Sequence, residues 1–438
     1  MTSLATPEKH IEAVDHNELI NDLYPIIDHP LYGTVTSFKQ TPYLMPAQLA
    51  DFTNDTDFSA EATNLEICPA CFFNTSGTTN RSKKIPFSDA DLERQKIHEK
   101  IALSKLGMGK GDGVMSLGAP LPSISGWAIV NGSEATGARA INSSQIDYDE
   151  IFEKGQADQV TFVIGTPLVV KEIGKAIESE FGPLTKVLPN LTTAIIFGDV
   201  LPDALRAELK ELWGFKNIYS LYGTVEADVV ATECPNKLGE MELMSERLLF
   251  EFLPEFELAK ERQNNLYTAQ AKPIEQVQNG EFGEILISDL SRDTLPLIRY
   301  RIGDIIKVNR ATGIHNAEKP SISVLGRSKN TVLLDDIALY EMQLDNAIKS
   351  WLGDEIVEWQ LEQTSNAKPQ QYQLRVQLKS KSIEAKHQQS FYPLLARQRP
   401  ELAMLNLKQH IKIEQVKAFS QIEVKGDTKA QRIILLTK

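Results

Sequence analysis

Short apolar runs alternate with helical patterns along the first half of the chain, from about residue 67 to residue 236. The runs are rich in branched and aromatic residues and are bounded by Gly, Pro or Asp, as in VMSLGAPLP, VTFVIGTP, TTAIIFGD and IYSLYGT. In LPDALRAELKELWG, leucines recur at helical spacing, Pro202 suits a first turn and Gly214 suits a C-cap. Strands that alternate with helices in this way predict α/β layering with largely parallel strands.

The pattern changes after about residue 236. The runs RLLFEFLPEFEL, GEILISDL and DIIKVNR predict strands with few helices, which adds a β-rich part to the α/β layers. Beyond about residue 330, one helical pattern, ALYEMQLDNAIKSWL, accompanies the predicted strands YQLRVQLKS, IKIEQV and RIILLT. We therefore predict a large N-terminal α/β domain over residues 1–326 and a small α+β domain over residues 327–438. The first 65 or so residues have a mixed pattern and no assigned role.

The composition is that of a globular protein with more than one domain. The chain has 438 residues, of which 42% are hydrophobic and 24% are charged. Its formal net charge of −13, without a basic run, argues against nucleic acid or an anionic membrane as a partner. The N-terminus lacks the apolar core of a signal peptide, and no apolar run approaches the ~20 residues that span a bilayer. Three cysteines, an odd count, argue against a disulfide framework, so we expect a cytoplasmic protein.

One stretch, NTSGTTNRSKKIPFS, concentrates small hydroxyl residues around a glycine and follows them with cations. A tight turn at the glycine lets backbone N–H groups converge on an anion, while hydroxyls and a lysine donate to its oxygens. The stretch lacks the G-x-x-x-x-G-K-[ST] phosphate-loop pattern, and a surface turn rich in Ser and Thr is the alternative. The candidate phosphate-binding residues are Thr75, Ser76, Gly77, Thr78, Thr79 and Lys83.

This stretch resembles the phosphate loop of the adenylate-forming superfamily, usually written [ST]-S-G-[ST]-T-G-x-P-K. That superfamily includes acyl-CoA synthetases, peptide-synthetase adenylation domains and luciferases. Lys83 falls on the family's lysine, whereas Asn80 and Ser82 replace the usual Gly and Pro. GDVLP resembles the family's turn beside adenine, which implies nucleotide contacts for Gly198 and Asp199.

LYGTVEAD resembles the family's Y-G-x-T-E motif. The resemblance implies that Tyr222 stacks on adenine and that Glu226 holds Mg²⁺ against the phosphates, with Gly223 and Thr224 also at the nucleotide. An aromatic face suits a purine and a carboxylate suits a hard cation. Val225 stands where the family has Thr, which leaves the reach of Thr224 to phosphate open.

LPLIRYRIGDI resembles P-L-I-R-Y-R-T-G-D, a version typical of the phenylacetate-CoA ligase-like branch. It implies that Asp304 accepts hydrogen bonds from the ribose hydroxyls, although an Asp in an ordinary turn is the alternative. LGRSKN resembles G-R-x-[DK], which implies that Arg327 contacts ribose or phosphate and that Lys329 is the hinge residue. The pattern break that we place near this segment coincides with the family's domain boundary.

GDTKAQRIILL resembles the C-terminal G-K-x-x-R of the same branch. It implies that Lys429 is the catalytic lysine and that Arg432 is the motif's arginine, with Thr428 in place of the usual Gly. An exposed basic turn near a terminus is the alternative. The phosphate loop and the five further segments follow the family's order from about residue 68 to the C-terminus.

The resemblance implies a function that uses ATP and Mg²⁺. The enzyme would activate a carboxylic acid as an acyl-adenylate, release pyrophosphate, and pass the acyl group to coenzyme A or a carrier-protein pantetheine. We expect a small aryl or apolar acid, because Ile124 and Trp127 are candidates for an apolar slot, although core packing also explains both. A non-catalytic nucleotide-binding module of the same fold is the second hypothesis, motivated by the departures from the motifs.

The cysteines flank two of these motifs. Cys68 and Cys71 form CPAC before the phosphate loop, and Cys234 follows the Glu226 motif. Three converging thiols suit tetrahedral Zn²⁺. Some relatives in the branch carry zinc near this place, but Met241 stands where they have a His. Three buried, inert cysteines are the alternative.

Overall fold

A mixed sheet of twelve strands is the central feature of the computed structural model. The structure describes residues 27–29, 31–35, 37–56, 69–75, 82–142, 153, 159–310, 319–379, 382–417, 419 and 432–436.

The N-terminal part contributes a short hairpin, a helix, and a second hairpin that leads into a long helix. Ser88 begins that long helix with a capping box, since its Oγ accepts from the Asp91 N–H and its own N–H donates to the Asp91 carboxylate. The elements are β1 (Ile27–His29), β2 (Gly33–Val35), α1 (Pro46–Asp55), β3 (Cys71–Asn74), β4 (Lys84–Phe87) and α2 (Asp89–Lys105).

The next segment forms the parallel half of the large sheet, as the alternating pattern predicts. Pro202 lies just before a helix, and Gly214 caps its end in the left-handed conformation with φ of 72°. The elements are β5 (Gly113–Ser116), α3 (Ile124–Thr136), β6 (Arg139–Asn142), β7 (Phe162–Gly165), α4 (Pro167–Phe181), α5 (Leu184–Val187), β8 (Thr193–Phe197), α6 (Asp203–Trp213) and β9 (Asn217–Thr224).

The β-rich part forms the antiparallel half of the same sheet, which begins where β9 pairs with its successor. The LPLIRYRIGDI motif begins two residues before a strand that starts at Leu297, earlier than the predicted DIIKVNR, and the rest of the motif lies in that strand. The elements are β10 (Asp228–Cys234), β11 (Lys237–Leu243), β12 (Leu249–Pro254), α7 (Glu255–Gln263), β13 (Lys272–Pro273), β14 (Phe282–Asp289), β15 (Leu297–Asn309) and β16 (Ser321–Arg327). The strand order is β13-β12-β14-β15-β16-β11-β10-β9-β8-β7-β5-β6.

The C-terminal part has its own four-stranded sheet, in the order β21-β20-β19-β22, and its own hydrophobic core around Trp359 and Tyr372. The boundary between residues 326 and 327 stays a prediction. The elements are β17 (Val332–Leu334), β18 (Ile337–Leu339), α8 (Glu341–Leu352), β19 (Ile356–Ser365), β20 (Gln371–Leu378), α9 (Ala385–Gln388), α10 (Phe391–Gln398), α11 (Leu407–His410), β21 (Ile411–Val416) and β22 (Ile433–Ile434). Short 3-10 turns lie at Ile274–Gln276, Ser328–Asn330, Gly353–Glu355 and Pro400–Met404.

The α/β fold with an added β-rich part and a small α+β part agrees with the fold predicted from the sequence pattern. Among the described residues, no helix combines the length and apolar character needed to cross a bilayer.

Candidate active site

The candidate phosphate-binding stretch connects β3 to β4 along the chain, and these two strands pair as a hairpin. Phe73, Ile85 and Phe87 are buried in the main core, which anchors the hairpin beneath the loop. At its open end, the Thr75 N–H donates to the Lys83 carbonyl at 3.0 Å, and the Lys83 N–H donates to Thr75 Oγ1 at 2.9 Å. One backbone bond and one bond to a side-chain hydroxyl therefore join Thr75 to Lys83. Four predicted residues, Ser76, Gly77, Thr78 and Thr79, lie outside the described residues.

Lys83 and Glu226 meet in a buried cluster together with Tyr300. Lys83 Nζ lies 2.9 Å from Glu226 Oε1, and the Tyr300 hydroxyl donates to the same oxygen at 3.0 Å. Each of the three residues is at most 6% exposed. Burial by itself would raise the pKa of Glu226, but the charge of Lys83 and the two hydrogen bonds lower it below its usual value. Glu226 is therefore an ionised carboxylate at neutral pH.

Tyr300 was not singled out from the sequence, although a signal for it exists. It lies four residues before Asp304 in β15, and a period of two places both on one face of a strand. Burial, followed by the charge of Glu226, raises the pKa of Tyr300 well above its usual value, so its hydroxyl stays a donor.

Tyr222, Asp304 and Arg327 form a second cluster, built from β9, β15 and β16. The Tyr222 hydroxyl donates to Asp304 Oδ2 at 2.6 Å, and Arg327 Nε lies 3.0 Å from Oδ1 of the same carboxylate. Asp304 is opposite Arg327 in the β15–β16 pair, so the strand register brings them together. The charge of Asp304 raises the pKa of Arg327, whereas burial opposes that change.

The two clusters are close enough to interact electrostatically. The charge of Glu226 acts on Arg327 and on Tyr222, and the charge of Asp304 acts on Tyr300. Five side chains that the motifs single out, from four separate segments, therefore share one site with Tyr300.

The glycines and the threonine of the predicted nucleotide turns have local structural roles. Gly198 has φ of 81°, which favours glycine, and the Asp199 side chain is exposed and accepts from the Val200 N–H at 2.9 Å. A Cβ on Gly223 would lie 2.9 Å from the Asp228 carbonyl, so the β9–β10 hairpin requires glycine there. Thr224 Oγ1 accepts from the Ala227 N–H at 3.0 Å, which holds the turn that carries Glu226.

Ile124 and Trp127 begin α3 and pack against the main core. Ile124 is 8% exposed, and the Trp127 ring lies 6.1 Å from the Phe73 ring. Their role in an acid pocket stays a prediction. A cavity of about 370 Å³ lies in the N-terminal part, and none of the predicted site residues lines it; its lining includes Tyr32, Tyr43, Leu44 and Gln48.

The predicted residues of the C-terminal part are arranged as follows. Lys329 is exposed in a 3-10 turn that follows β16. Arg432 lies 3.1 Å from Glu358 Oε1 and 3.3 Å from Asp345 Oδ1, so an acidic pair holds it against the small sheet. Lys429 lies outside the described residues.

The described residues do not support the zinc site. Cys71 and Cys234 are both free and partly exposed, and Cys68 lies outside the described part. Burial, followed by nearby acidic charge, raises the pKa of both thiols, which disfavours the thiolate that zinc needs. Within the described ranges, no group of three or more His, Cys, Asp or Glu residues is arranged to hold a metal ion.

Comparison with known proteins identifies a family and a fold. The sequence model of the family described as "AMP-binding enzyme" matches residues 18–246. No curated protein sequence matches the chain.

Solved structures with a similar fold include a 2-hydroxyisobutyryl-CoA ligase in the postadenylation state with 2-HIB-AMP. It has 15% identity and a TM-score of 0.66, over 92% of this chain and 80% of that one. The o-succinylbenzoate coenzyme A synthetase of Bacillus subtilis, in complex with ATP and magnesium ion, has 16% identity and a TM-score of 0.54, over 82% and 70%. An ATP-bound RpMatB-BxBclM chimera has 15% identity and a TM-score of 0.57, over 83% and 67%.

Proposed function

Because the chain belongs to the AMP-binding enzyme family, whose sequence model covers more than half of its 438 residues, we propose that it is an AMP-forming carboxylate–CoA ligase. It activates a carboxylic acid with ATP, releases pyrophosphate and transfers the acyl group to coenzyme A. The observation that carries the proposal is the convergence of the Lys83–Glu226–Tyr300 and Tyr222–Asp304–Arg327 clusters. The similar folds of proteins bound to acyl-adenylate, to ATP and to magnesium ion support it.

The first cluster is assigned to the phosphates and to Mg²⁺. Mg²⁺ binds proteins through one or two carboxylates and the phosphates of its substrate, and it neutralises charge on the leaving pyrophosphate. Glu226 fits this ion because it is buried and ionised. Lys83 leaves the Glu226 oxygen and donates to a phosphate oxygen, with the hydroxyls and N–H groups of residues 75–79.

The second cluster is assigned to the nucleoside. Asp304 accepts from the ribose hydroxyls, and the ion pair with Arg327 holds its carboxylate in position. The Tyr222 ring offers a face for adenine while its hydroxyl stays bound to Asp304. Gly198 and Asp199 lie at the turn on the adenine side.

Adenylation requires little covalent chemistry from the protein. An oxygen of the substrate carboxylate attacks the α-phosphorus, and the bond from that phosphorus to the pyrophosphate oxygen breaks. The protein aligns the two reactants and stabilises the negative charge that grows on the phosphates. Lys429 neutralises the α-phosphate side, whereas Lys83 and the 75–79 segment stabilise the pyrophosphate side.

The second step uses the same site. The sulfur of coenzyme A attacks the acyl carbonyl as its proton is lost, and the acyl–oxygen bond to AMP breaks. A small domain over residues 327–438 turns about Lys329 between the two steps, so that one site serves both. The acid is small and aryl or apolar, with Ile124 and Trp127 along its pocket beside Phe73.

The test is pyrophosphate release that depends on added carboxylic acid, measured with hydroxylamine as the acyl trap and without a thiol. We expect release with aryl or small apolar acids, and thioester formation when coenzyme A is added. If a thioester forms only with a pantetheine carrier protein, that protein and not coenzyme A is the acceptor. ATP binding without pyrophosphate release for any acid would favour the non-catalytic nucleotide-binding module.

A further inference from the structure

Arg292 makes a second connection between the two segments that the Lys83–Glu226 ion pair joins, the β3–β4 hairpin and the turn that carries Glu226. It is 4% exposed. Its Nη1 donates to the Glu226 carbonyl at 2.8 Å, and its Nη2 donates to the Pro86 carbonyl at 2.5 Å. The guanidinium carbon lies 3.9 Å from the centroid of the Phe87 ring. One buried side chain therefore ties β4, the strand that leads away from the candidate phosphate loop, to the backbone of Glu226.

The loop that carries Arg292 is itself anchored. Thr294 Oγ1 lies 2.9 Å from the Pro86 carbonyl and 2.6 Å from Asp91 Oδ2. Asp91 also accepts from the Asp293 N–H at 2.9 Å. Burial lowers the pKa of Arg292 to about 10, against the charges of Asp91 and Asp289, so the guanidinium is cationic at neutral pH. Both ends of the connection are thus held by buried, charge-assisted bonds.

Nucleotide binding affects the Lys83–Glu226 ion pair and the Arg292 hydrogen bonds differently. The ion pair joins the β3–β4 hairpin to the turn between β9 and β10. Under the proposed function this pair opens, because Lys83 turns to a phosphate and Glu226 to Mg²⁺. The two Arg292 hydrogen bonds end on backbone carbonyls. Under the proposed function, these carbonyls keep Arg292 as their donor when the Lys83–Glu226 ion pair opens.

We propose that Arg292 is a positioning residue that holds β4, and with it the adjoining Lys83, at a constant distance from the Glu226 carboxylate throughout adenylation. The inference rests on the proposed function, because that function assigns Lys83 and Glu226 to the phosphates and Mg²⁺. Without this second connection, the phosphate-binding residues and the Glu226 carboxylate would each bind their part of the nucleotide, but the spacing between them would no longer be fixed.

The test compares Arg292→Lys with the wild-type chain. Lysine keeps the positive charge but lacks the planar guanidinium group, whose two terminal nitrogens reach the Glu226 and Pro86 carbonyls. We expect ATP to bind about tenfold more weakly in calorimetric titrations, the size of effect that loss of one charge-assisted hydrogen bond produces. The Mg²⁺ concentration for half-maximal binding and the KM for ATP should rise with it, while the KM for the carboxylic acid stays unchanged.

Arg94→Met is the matched control. Arg94 pairs with Asp91 at 2.8 Å and with Asp293 at 2.6 Å, next to the same loop. Its loss disturbs the acidic neighbours but leaves both carbonyl contacts of Arg292 in place, so ATP affinity should stay within about twofold of wild type.

Each outcome decides between the alternatives. A lower melting temperature of Arg292→Lys with unchanged ATP affinity and Mg²⁺ dependence would make Arg292 a structural residue and overturn the proposal. If Arg292→Lys does not fold, Arg292→Gln takes its place, because its single amide group cannot donate to both carbonyls and ATP binding should weaken to a similar extent. Wild-type protein that binds ATP but releases no pyrophosphate overturns the proposed adenylation alone, since the binding titrations still test Arg292. Wild-type protein that binds no ATP overturns both.

Discussion

The Glu226 carboxylate receives a cation and a phenol from two distant parts of the chain. Lys83 comes from the hairpin and Tyr300 from β15, and both reach Oε1. A buried carboxylate without such partners would be protonated, and a protonated carboxyl is a poor ligand for Mg²⁺. At the residue scale, the ion pair therefore keeps Glu226 in the state that the proposed function needs.

Glu226→Gln is expected to slow pyrophosphate release by about 10²–10³-fold, because the amide cannot neutralise or bind a cation as the carboxylate does. It should also lower the melting temperature, since Lys83 is left buried beside a neutral group. The measurement is the release rate over a range of Mg²⁺ concentrations, with circular dichroism to verify folding. Glu242→Gln, which removes an exposed partner of Lys105, is the control. A wild-type rate in the Glu226 variant would refute its assignment.

Lys429→Ala tests the assignment that comes from the C-terminal motif. We expect the loss of acid-dependent pyrophosphate release with retained ATP binding, because the proposed role of this lysine is to neutralise charge in the reaction. Pyrophosphate release and calorimetric ATP titration are measured on the same preparation. Lys417→Ala changes an exposed lysine directly after β21 and should behave like wild type. Full activity without Lys429 would remove it from the mechanism.

At the element scale, the start of α2 holds the loop that carries Arg292. Asp91 accepts from the Ser88 N–H at 3.0 Å within the capping box and from the N–H groups of Asp293 and Thr294. Burial alone would raise the pKa of Asp91, but the charge of Arg292 and these hydrogen bonds hold it well below its usual value of 3.8. A helix terminus and the site loop are thus stabilised by the same ionised carboxylate.

Asp91→Asn is expected to reduce the free energy of unfolding by about 1–3 kcal/mol at pH 7. Because the folded-state pKa of Asp91 is depressed, its contribution is fully present above the usual value of 3.8 and is lost as the pH falls below that value. The loss in the variant should therefore shrink between pH 4 and pH 2, as measured by denaturant unfolding. Asp89→Asn, in the exposed first turn of α2, is the control. Equal losses at both ends of that range would contradict the argument.

At the scale of the whole molecule, one cluster joins the two predicted domains. Glu255, the first residue of α7, accepts from both terminal nitrogens of Arg399 at 3.1 and 2.7 Å and from the Tyr340 hydroxyl. The Arg399 guanidinium carbon also lies 4.5 Å from the Phe282 ring centroid. A bidentate ion pair with an aromatic contact stabilises one orientation of the C-terminal part relative to the N-terminal part.

Glu255→Gln is expected to weaken that contact, since the amide keeps the shape of the side chain but loses its charge. Amide hydrogen exchange across β17, β18 and α8 should become several-fold faster, because the ion pair helps to hold this part in place. Glu281→Gln breaks an ion pair with Lys272 inside the N-terminal part and serves as the control. Unchanged exchange in the Glu255 variant would show that other contacts set the orientation.

Local patterns along the chain were enough for the fold class, whereas the candidate site residues came from the resemblance to a family and their roles stay predictions. Alternating strand and helix periods predicted the α/β layers, and the helix between Pro202 and Gly214 has the predicted ends. The resemblance to the motifs of the adenylate-forming superfamily singled out Lys83, Glu226, Tyr222, Asp304 and Arg327, which the structure brings together. Such information is local, because periodicity, capping and turn chemistry depend on residues that are neighbours in sequence.

The contacts within the site were decided by the tertiary structure alone. Lys83 and Glu226 are 143 positions apart, Tyr222 and Asp304 are 82 apart, and Pro86 and Arg292 are 206 apart. Which of them meet depends on strand order and register, and a shift of one residue in register would turn each side chain to the other face. No local pattern encodes that order, so the bond from Tyr300 to Glu226 and the connection through Arg292 emerge only when the sheet is assembled.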